Sequence, residues 1–300
     1  MSLALLDNIF WHSLVGPQAK FAAGEGAARR YARGFSPIVA FADAGQPDFA
    51  ALLPYCDADE HFYCDGWSGP AQAGWTIERE STMFKMAWQG ATPASDEAPD
   101  AIALGAEHAG QAVELAALTR PGPFGLRTIE LGDYFGYFEH GRLVAMAGER
   151  SQAGTLREIS GVCTHPDVQG RGYARRLMAK LIRRQVLRGE TPFLHVMCDN
   201  TSAHTFYARM GFAYYRPSVV RIVSRHRSRV AWSLPGAMAP TMSRASSALP
   251  GACQRAQPHG APSNPFAKMR SSTTCNACVV VVSARGRSAA VIAPFSSTSR

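Results

Sequence analysis

The run VCTHPDVQGRGYARRLMAKLI, residues 162–182, restricts this chain more than any other segment. It passes from an apolar strand end through a polar, proline-bearing turn into Gly170 and Gly172, and then directly into an amphipathic helix. Glycines there permit positive φ and close approach of a ligand to the backbone, and Ala174 is small enough not to crowd the entering helix. The first N–H groups of a helix have no acceptor within it, so Gln169, Gly170, Arg171, Gly172, Tyr173 and Ala174 can present successive donors to an anion. The spacing is not the GxGxxG of a dinucleotide fold, nor the GxxxxGK[ST] of a nucleotide triphosphatase. Taken alone, the loop is also compatible with an ordinary strand-to-helix turn.

The surrounding pattern gives the loop a context. Residues 135–138 and 143–149 flank a glycine-bearing turn at residues 139–142, as two antiparallel strands do, and Leu156–Thr164 reads as a third strand of the same meander. Strict alternation places Glu158, Val162 and Thr164 on one face and Cys163 on the other. In the following helix Leu177, Met178, Leu181 and Ile182 share one side, while Arg175, Arg176, Lys180, Arg183 and Arg184 lie largely on the other. A short apolar strand at residues 193–197 is placed for a parallel crossover. A second helix at residues 202–210 carries Ala203, Phe206, Tyr207 and Met210 at helical spacing and ends at Gly211, and residues 212–215 and 219–223 supply the last strand material. Upstream, Trp75–Trp88 reads as strand, residues 91–100 as a polar turn, residues 101–104 as a short strand and residues 108–118 as a helix closed by Arg120-Pro-Gly-Pro.

Gln169, Gly172 and Ala174, followed by Asn200, Ala203, Phe206, Tyr207, Gly211 and Phe212, resemble in order and spacing the two cofactor motifs of the GNAT superfamily of acyl-CoA-dependent N-acyltransferases. The resemblance covers residues 78–223, is strongest over residues 158–212, and is nearest in character to the FR47-like branch. It implies an α+β (or α/β) fold: a central mixed, mostly antiparallel sheet with a splayed parallel pair, flanked by helices. It also implies acetyl-CoA or another acyl-CoA as cosubstrate, with no metal. Pantetheine would lie against the backbone of Val162, Cys163 and Thr164, with the Val162 N–H toward the thioester oxygen. The diphosphate would sit over residues 170–174, with Arg171 and Arg175 adding charge. Asn200 would meet the cofactor or cap its helix. Tyr207 would protonate the leaving thiolate, and Glu158 would deprotonate the amine through water or form a salt bridge with Arg157, Arg127 or Arg142. Ser160, not Glu158, falls where the histone-acetylating branch carries its carboxylate. His165, beside Pro166, fits a loop-structuring role. The acceptor would be a small-molecule amine, an amino acid or a peptide amine. A noncatalytic acyl-CoA sensor on the same fold is the alternative.

Charge separates the chain into a body and a tail. Of 31 Lys and Arg against 23 Asp and Glu, the 77 residues from 224 to 300 hold 10 basic and no acidic residues, so residues 1–223 carry a formal charge of −2. The basic balance therefore gives no reason to expect a nucleic-acid partner, and no stacking aromatics accompany it. Three regions follow: an aromatic- and glycine-rich lobe at residues 1–74, the acyltransferase-like domain at 75–223, and a low-complexity tail at 224–300 expected to be disordered. No apolar run is long enough to span a bilayer and the first residues lack a basic signal-like start, so a cytoplasmic location and no membrane association are expected, with reduced cysteines. Cys275 and Cys278 lack a second ligand pair, and Cys56, His61 and Cys64 fit buried thiols and a strand-face histidine better than a metal site. The oligomeric state is left open.

Overall fold

A computed structural model describes residues 3–58 and 60–226. The expected basic tail, with Cys275 and Cys278, lies outside the described residues, apart from the first three tail positions. Those three are not separate from the domain. The last strand runs to Arg225, two residues past the expected boundary, and the Arg225 guanidinium donates to the Leu53 and Cys56 carbonyls.

The described residues form one mixed sheet of eleven strands. Strands β1 (Ala22–Ala23), β2 (Ala28–Tyr31), β3 (Ile38–Phe41) and β4 (His61–Asp65) come from the first lobe. β5 (Trp75–Trp88), β6 (Ile102–Ala103), β7 (Tyr134–Glu139), β8 (Arg142–Ala153), β9 (Leu156–Thr164), β10 (Thr191–Met197) and β11 (Phe212–Arg225) follow. Their order is β1-β2-β3-β4-β11-β5-β10-β9-β8-β7-β6, with parallel pairing only between β3 and β4 and between β9 and β10. The mostly antiparallel sheet with a short parallel pair at its centre is the architecture expected from the sequence. The first lobe joins that sheet edge to edge: β4 pairs with β11 from Asp65–Val220 to His61–Ser224.

Helices cover both faces. Helices α4 (Tyr173–Leu187) and α5 (Thr201–Arg209) pack on one side, where Leu177, Met178, Leu181 and Ile182 meet Ala145, Ala147 and Ile159. On the other side lie α1 (Ile9–Val15) and α3 (Ala109–Thr119), the latter burying Ala112, Leu115 and Ala116 against Met146 and Cys163. The short α2 (Phe49–Leu52) is capped by Asp48, whose carboxylate accepts the Ala51 N–H. Cys56 and Cys64 are buried among aromatics near α2, and His61 pairs instead with Glu78. Among the described residues no group of three His, Cys, Asp or Glu side chains could hold a metal ion, and no helix is long and apolar enough to cross a membrane.

The polar turn at residues 91–100 straps the charged face of α4. Asp96 pairs with Lys180, Glu97 with Arg175 and Asp100 with Arg176, each at 2.5 Å, and the Pro93 carbonyl accepts from Arg183. Farther along the helix, Arg184 pairs with Asp133. The helix's basic stripe is thus answered by carboxylates of the same chain.

The proline-rich segment after α3 docks on the first lobe. Arg127 N–H donates to the Gly34 carbonyl at 2.7 Å, the Ser36 hydroxyl donates to the Pro123 carbonyl at 2.8 Å, and the Arg127 guanidinium lies over the Phe35 ring. Gly125 is the tightest point, because a Cβ there would stand 2.4 Å from the Gly34 oxygen and 2.7 Å from that of Phe35. Both neighbours are backbone, so Gly125→Ala must separate the segment from the lobe. We expect a loss of about 1–3 kcal/mol, the usual cost of overpacking, measured by urea unfolding; an unchanged midpoint would show the contact to be loose.

Candidate functional site

The centre of the sheet opens. β9 and β10 pair only at Leu156–Thr191, Arg157–Pro192 and Glu158–Phe193, although both strands continue, to Thr164 and Met197. Beyond Glu158 one edge of β9 has no strand beside it, while its other edge stays bonded to β8 up to the Thr164–Ala145 pair. Past Glu158 the main-chain groups of β9 that point toward β10 have no strand partner, as required for an extended amide-bearing ligand to pair like a strand.

The residues at the mouth follow the expected order. His165 caps a short turn: its Nδ1 accepts the Asp167 N–H at 3.2 Å, and Nε2 lies 2.8 Å from Arg142. Gln169 folds back so that its amide donates to the Thr164 carbonyl at 3.3 Å. Gly170 and Gly172 both have positive φ, +79° and +82°, and a Cβ at either would meet nothing within 4 Å, so the space above the loop is open. The first helical bond of α4 runs from Arg176 N–H to the Gly172 carbonyl at 3.1 Å, which leaves the preceding N–H groups without helical acceptors. Tyr173 stacks on Tyr137 and donates its hydroxyl to Glu139 at 2.8 Å. Ala174 follows it in the first turn of α4. Arg171 is bound to Glu139 at 2.9 Å and Arg175 to Glu97, and both guanidiniums are more than half exposed, so these ion pairs are weak enough to exchange for a stronger anion. Gly172→Ala places a side chain on a left-handed φ at the helix start; we expect about 1–2 kcal/mol of destabilisation together with weaker binding of an anionic ligand, read by thermal melts with and without it.

Asn200 is the N-cap of α5: its side-chain oxygen accepts the Ala203 N–H at 3.1 Å and the Ser202 hydroxyl at 3.0 Å. Tyr207 stands one residue after Phe206, its ring 6.1 Å from that of Phe212, and both α5 aromatics lean on the α4 cluster. Burial, reinforced by the neighbouring Cys163 thiol, pushes its phenol up to about 12. It therefore stays protonated through the neutral range.

Two expectations for β9 require correction. Strict alternation fails at Gly161, which adopts φ +63° and inserts an extra residue opposite β8 between the Cys163–Met146 and Ser160–Gly148 pairs. The bulge resets the faces: Val162 joins Ile159 toward α4, Cys163 faces α3, and Glu158 lies on the side opposite Val162, not on the same side. Thr164 remains with Val162, its hydroxyl buried without a partner. The second correction concerns the partner of Glu158, which is Arg150 and none of Arg157, Arg127 or Arg142. Arg150 donates to both carboxylate oxygens, at 2.6 and 3.0 Å, Ser151 N–H adds a third bond, and His195 Nδ1 lies 2.7 Å away. Although burial opposes ionisation, the charge of Arg150 and the hydrogen bonds from His195 and Arg150 hold this carboxyl well below its ordinary range. Arg157 turns instead to Glu190. Arg150 and His195 are the members of this site that sequence reasoning missed; a lone histidine in an apolar strand gives no local signal.

The fold and the wedge define the class, a GNAT-type acyltransferase fold. The family described as FR47-like protein matches residues 134–220. A GNAT-family structure from Novosphingobium aromaticivorans DSM 12444 is 34% identical, with 74% of this chain and 99% of that one covered and a TM-score of 0.66. A GCN5-related N-acetyltransferase-like protein from Streptococcus suis 89/1591 is 15% identical over 73% of this chain and 96% of its own, with a TM-score of 0.48. A GCN5-related N-acetyltransferase from Kribbella flavida is 16% identical over 77% and 98%, with a TM-score of 0.47. No curated protein matches the sequence. The chain belongs to the GNAT family.

Proposed function

We propose that the chain is an N-acyltransferase of the FR47-like branch that moves an acetyl or other short acyl group from acyl-CoA to a primary amine in a ternary complex. The observation that carries this reading is the parting of β9 and β10 after Glu158 and Phe193, with the Gly170–Gly172 loop at the end of the same strand. The residues present fit an acyl-CoA: β9 backbone without a strand partner past Glu158 for the pantetheine amides, the buried unpartnered Thr164 hydroxyl at the mouth, and free N–H groups at the start of α4 for the diphosphate. Arg171 and Arg175 can swing from Glu139 and Glu97 to the phosphates. The Val162 N–H would donate to the thioester oxygen as it becomes negative. Tyr207 would supply the proton for the departing thiolate. The acceptor is an amine of small-molecule, amino-acid or peptide origin, entering on the α1 and α3 side, where the docked segment after α3 forms a rim. A cytoplasmic setting, where acyl-CoA is available, suits this reading.

A thiol-release screen with acetyl-CoA against amines, amino acids and peptides tests it. Turnover with at least one amine is the expected result. Tight acetyl-CoA binding without turnover on any of them would instead favour the noncatalytic sensor.

A further inference from the structure

On the α1 side of the wedge, His195 binds Glu158 through one ring nitrogen and leaves the other without a partner. Its Nδ1 is 2.7 Å from Glu158, its ring stacks on Phe10 at 5.2 Å and meets Phe193 edge-on, and its side chain is 6% exposed. Nε2, across the ring from Glu158, is buried and has no hydrogen-bond partner. Leaving such an atom unpaired costs about 1–3 kcal/mol, a cost that the Glu158 bond on the other nitrogen does not remove. The ionised Glu158 can only accept, so Nδ1 carries the proton of that bond, and the neutral form of the ring has its lone pair on Nε2. β10 sets His195 two residues past its last pairing with β9, so the ring spans the point where the strands part.

We propose that His195 takes the proton from the incoming ammonium through Nε2, directly or across one water, with Glu158 as the positioning residue that fixes its tautomer. This rests on the acyltransferase reading above. The ammonium gives one proton to Nε2, and the freed nitrogen lone pair forms a C–N bond to the thioester carbonyl, whose electrons move to oxygen. Collapse breaks the C–S bond; the thiolate takes the Tyr207 proton, and the phenolate recovers the second proton from nitrogen. The imidazolium then releases its proton to water, so the sum is ammonium plus thioester giving amide, thiol and one proton. The other charged and titratable groups around the ring are accounted for. Arg150 on β8 is bound to Glu158, and Lys85, in register with His195 on β5, is paired with Asp65 at 2.7 Å. Tyr31 and Tyr134, electrostatically coupled to Glu158, are kept neutral by burial.

The test compares wild type with His195→Gln, whose amide can still donate to Glu158 but cannot accept a proton as a base. With an amine that wild type acylates, kcat/KM at pH 7 should fall about 100-fold or more, recover as pH rises toward the pKa of the amine, and leave acetyl-CoA affinity unchanged. Free imidazole should restore part of the rate to His195→Ala, and Glu158→Gln should shift the acidic limb of the pH profile. Wild-type kcat/KM and an unaltered profile in His195→Gln would overturn the assignment while leaving the acyltransferase reading intact; absence of wild-type turnover with every amine would overturn both. Should the variants not fold, nitrogen-15 NMR of wild type decides: a protonated Nε2 on neutral His195 would sink the proposal, and an Nδ1–H tautomer would support it.

Discussion

Tyr207→Phe is expected to lower kcat for acyl transfer about 100- to 1,000-fold while changing acetyl-CoA affinity less than twofold. The substitution keeps the ring that packs beside Phe206 and Phe212 and removes only the hydroxyl. Because burial pushes the phenol up to about 12, its acid form is intact at neutral pH, and the variant loses a proton donor rather than a charge. Positioned acid–base groups contribute rate factors of about 10² to 10⁴. Steady-state thiol release and calorimetric titration of acetyl-CoA separate the two quantities. An unchanged kcat would remove Tyr207 from the chemistry and return it to the packing of α5.

The largest effect on stability is expected at Arg150. Arg150→Met would leave the Glu158 carboxylate buried with only the Ser151 N–H and His195 to answer it, and breaking one half of a buried pair costs about 3–5 kcal/mol. Acidification distinguishes this cause from lost packing. The folded-state pKa of Glu158 lies below its unfolded value, so the wild-type contribution is complete above the ordinary carboxylate pKa of about 4.3 and declines as pH falls below it. In the variant, protonation of Glu158 removes the uncompensated charge. The gap between the two proteins should therefore narrow from pH 7 to pH 4 in urea unfolding, and pairing Arg150→Met with Glu158→Met should recover much of the loss. A gap independent of pH would assign the cost to packing alone.

These two residues also mark how far the sequence could be read. Tyr207 falls where the spacing from Asn200 to Gly211 places it, because a helix fixes its faces from within, and α5 starts at the cap that Asn200 provides. The same holds for the Gly170–Gly172 loop and for α4, whose apolar stripe and positive-φ entry are written in consecutive residues. Arg150 could not be found this way. Its pairing with Glu158 depends on the register of β8 against β9, which slips between Glu149 and Gln152, in addition to the slip at Gly161. A period of two carries no warning of either slip, and one slip is enough to exchange faces.

The turn at residues 91–100 shows a similar division. Its composition announces a loop, but its acidic residues meet the basic side of α4 only because β10, β9, β8 and β7 bring that helix across the sheet beside it. Within the first lobe, the aromatic and glycine content suggested a folded unit, whereas the α1 helix and the edge pairing of β4 with β11 had no distinct signal.

Consecutive residues carried the order of strands and helices around residues 158–212, the glycine loop, the placement of Tyr207 on α5 and the uneven distribution of charge, −2 over residues 1–223 and +10 beyond. Local periodicity, turn chemistry and charge are properties of neighbouring residues and survive in a linear reading. Tertiary structure alone decided that Glu158 turns away from Val162, that Arg150 and His195 close around it, and that the first lobe extends the central sheet. Each of these follows from strand register and from the Gly161 bulge, where the hydrogen-bonding needs of adjacent strands override the alternation of any one of them.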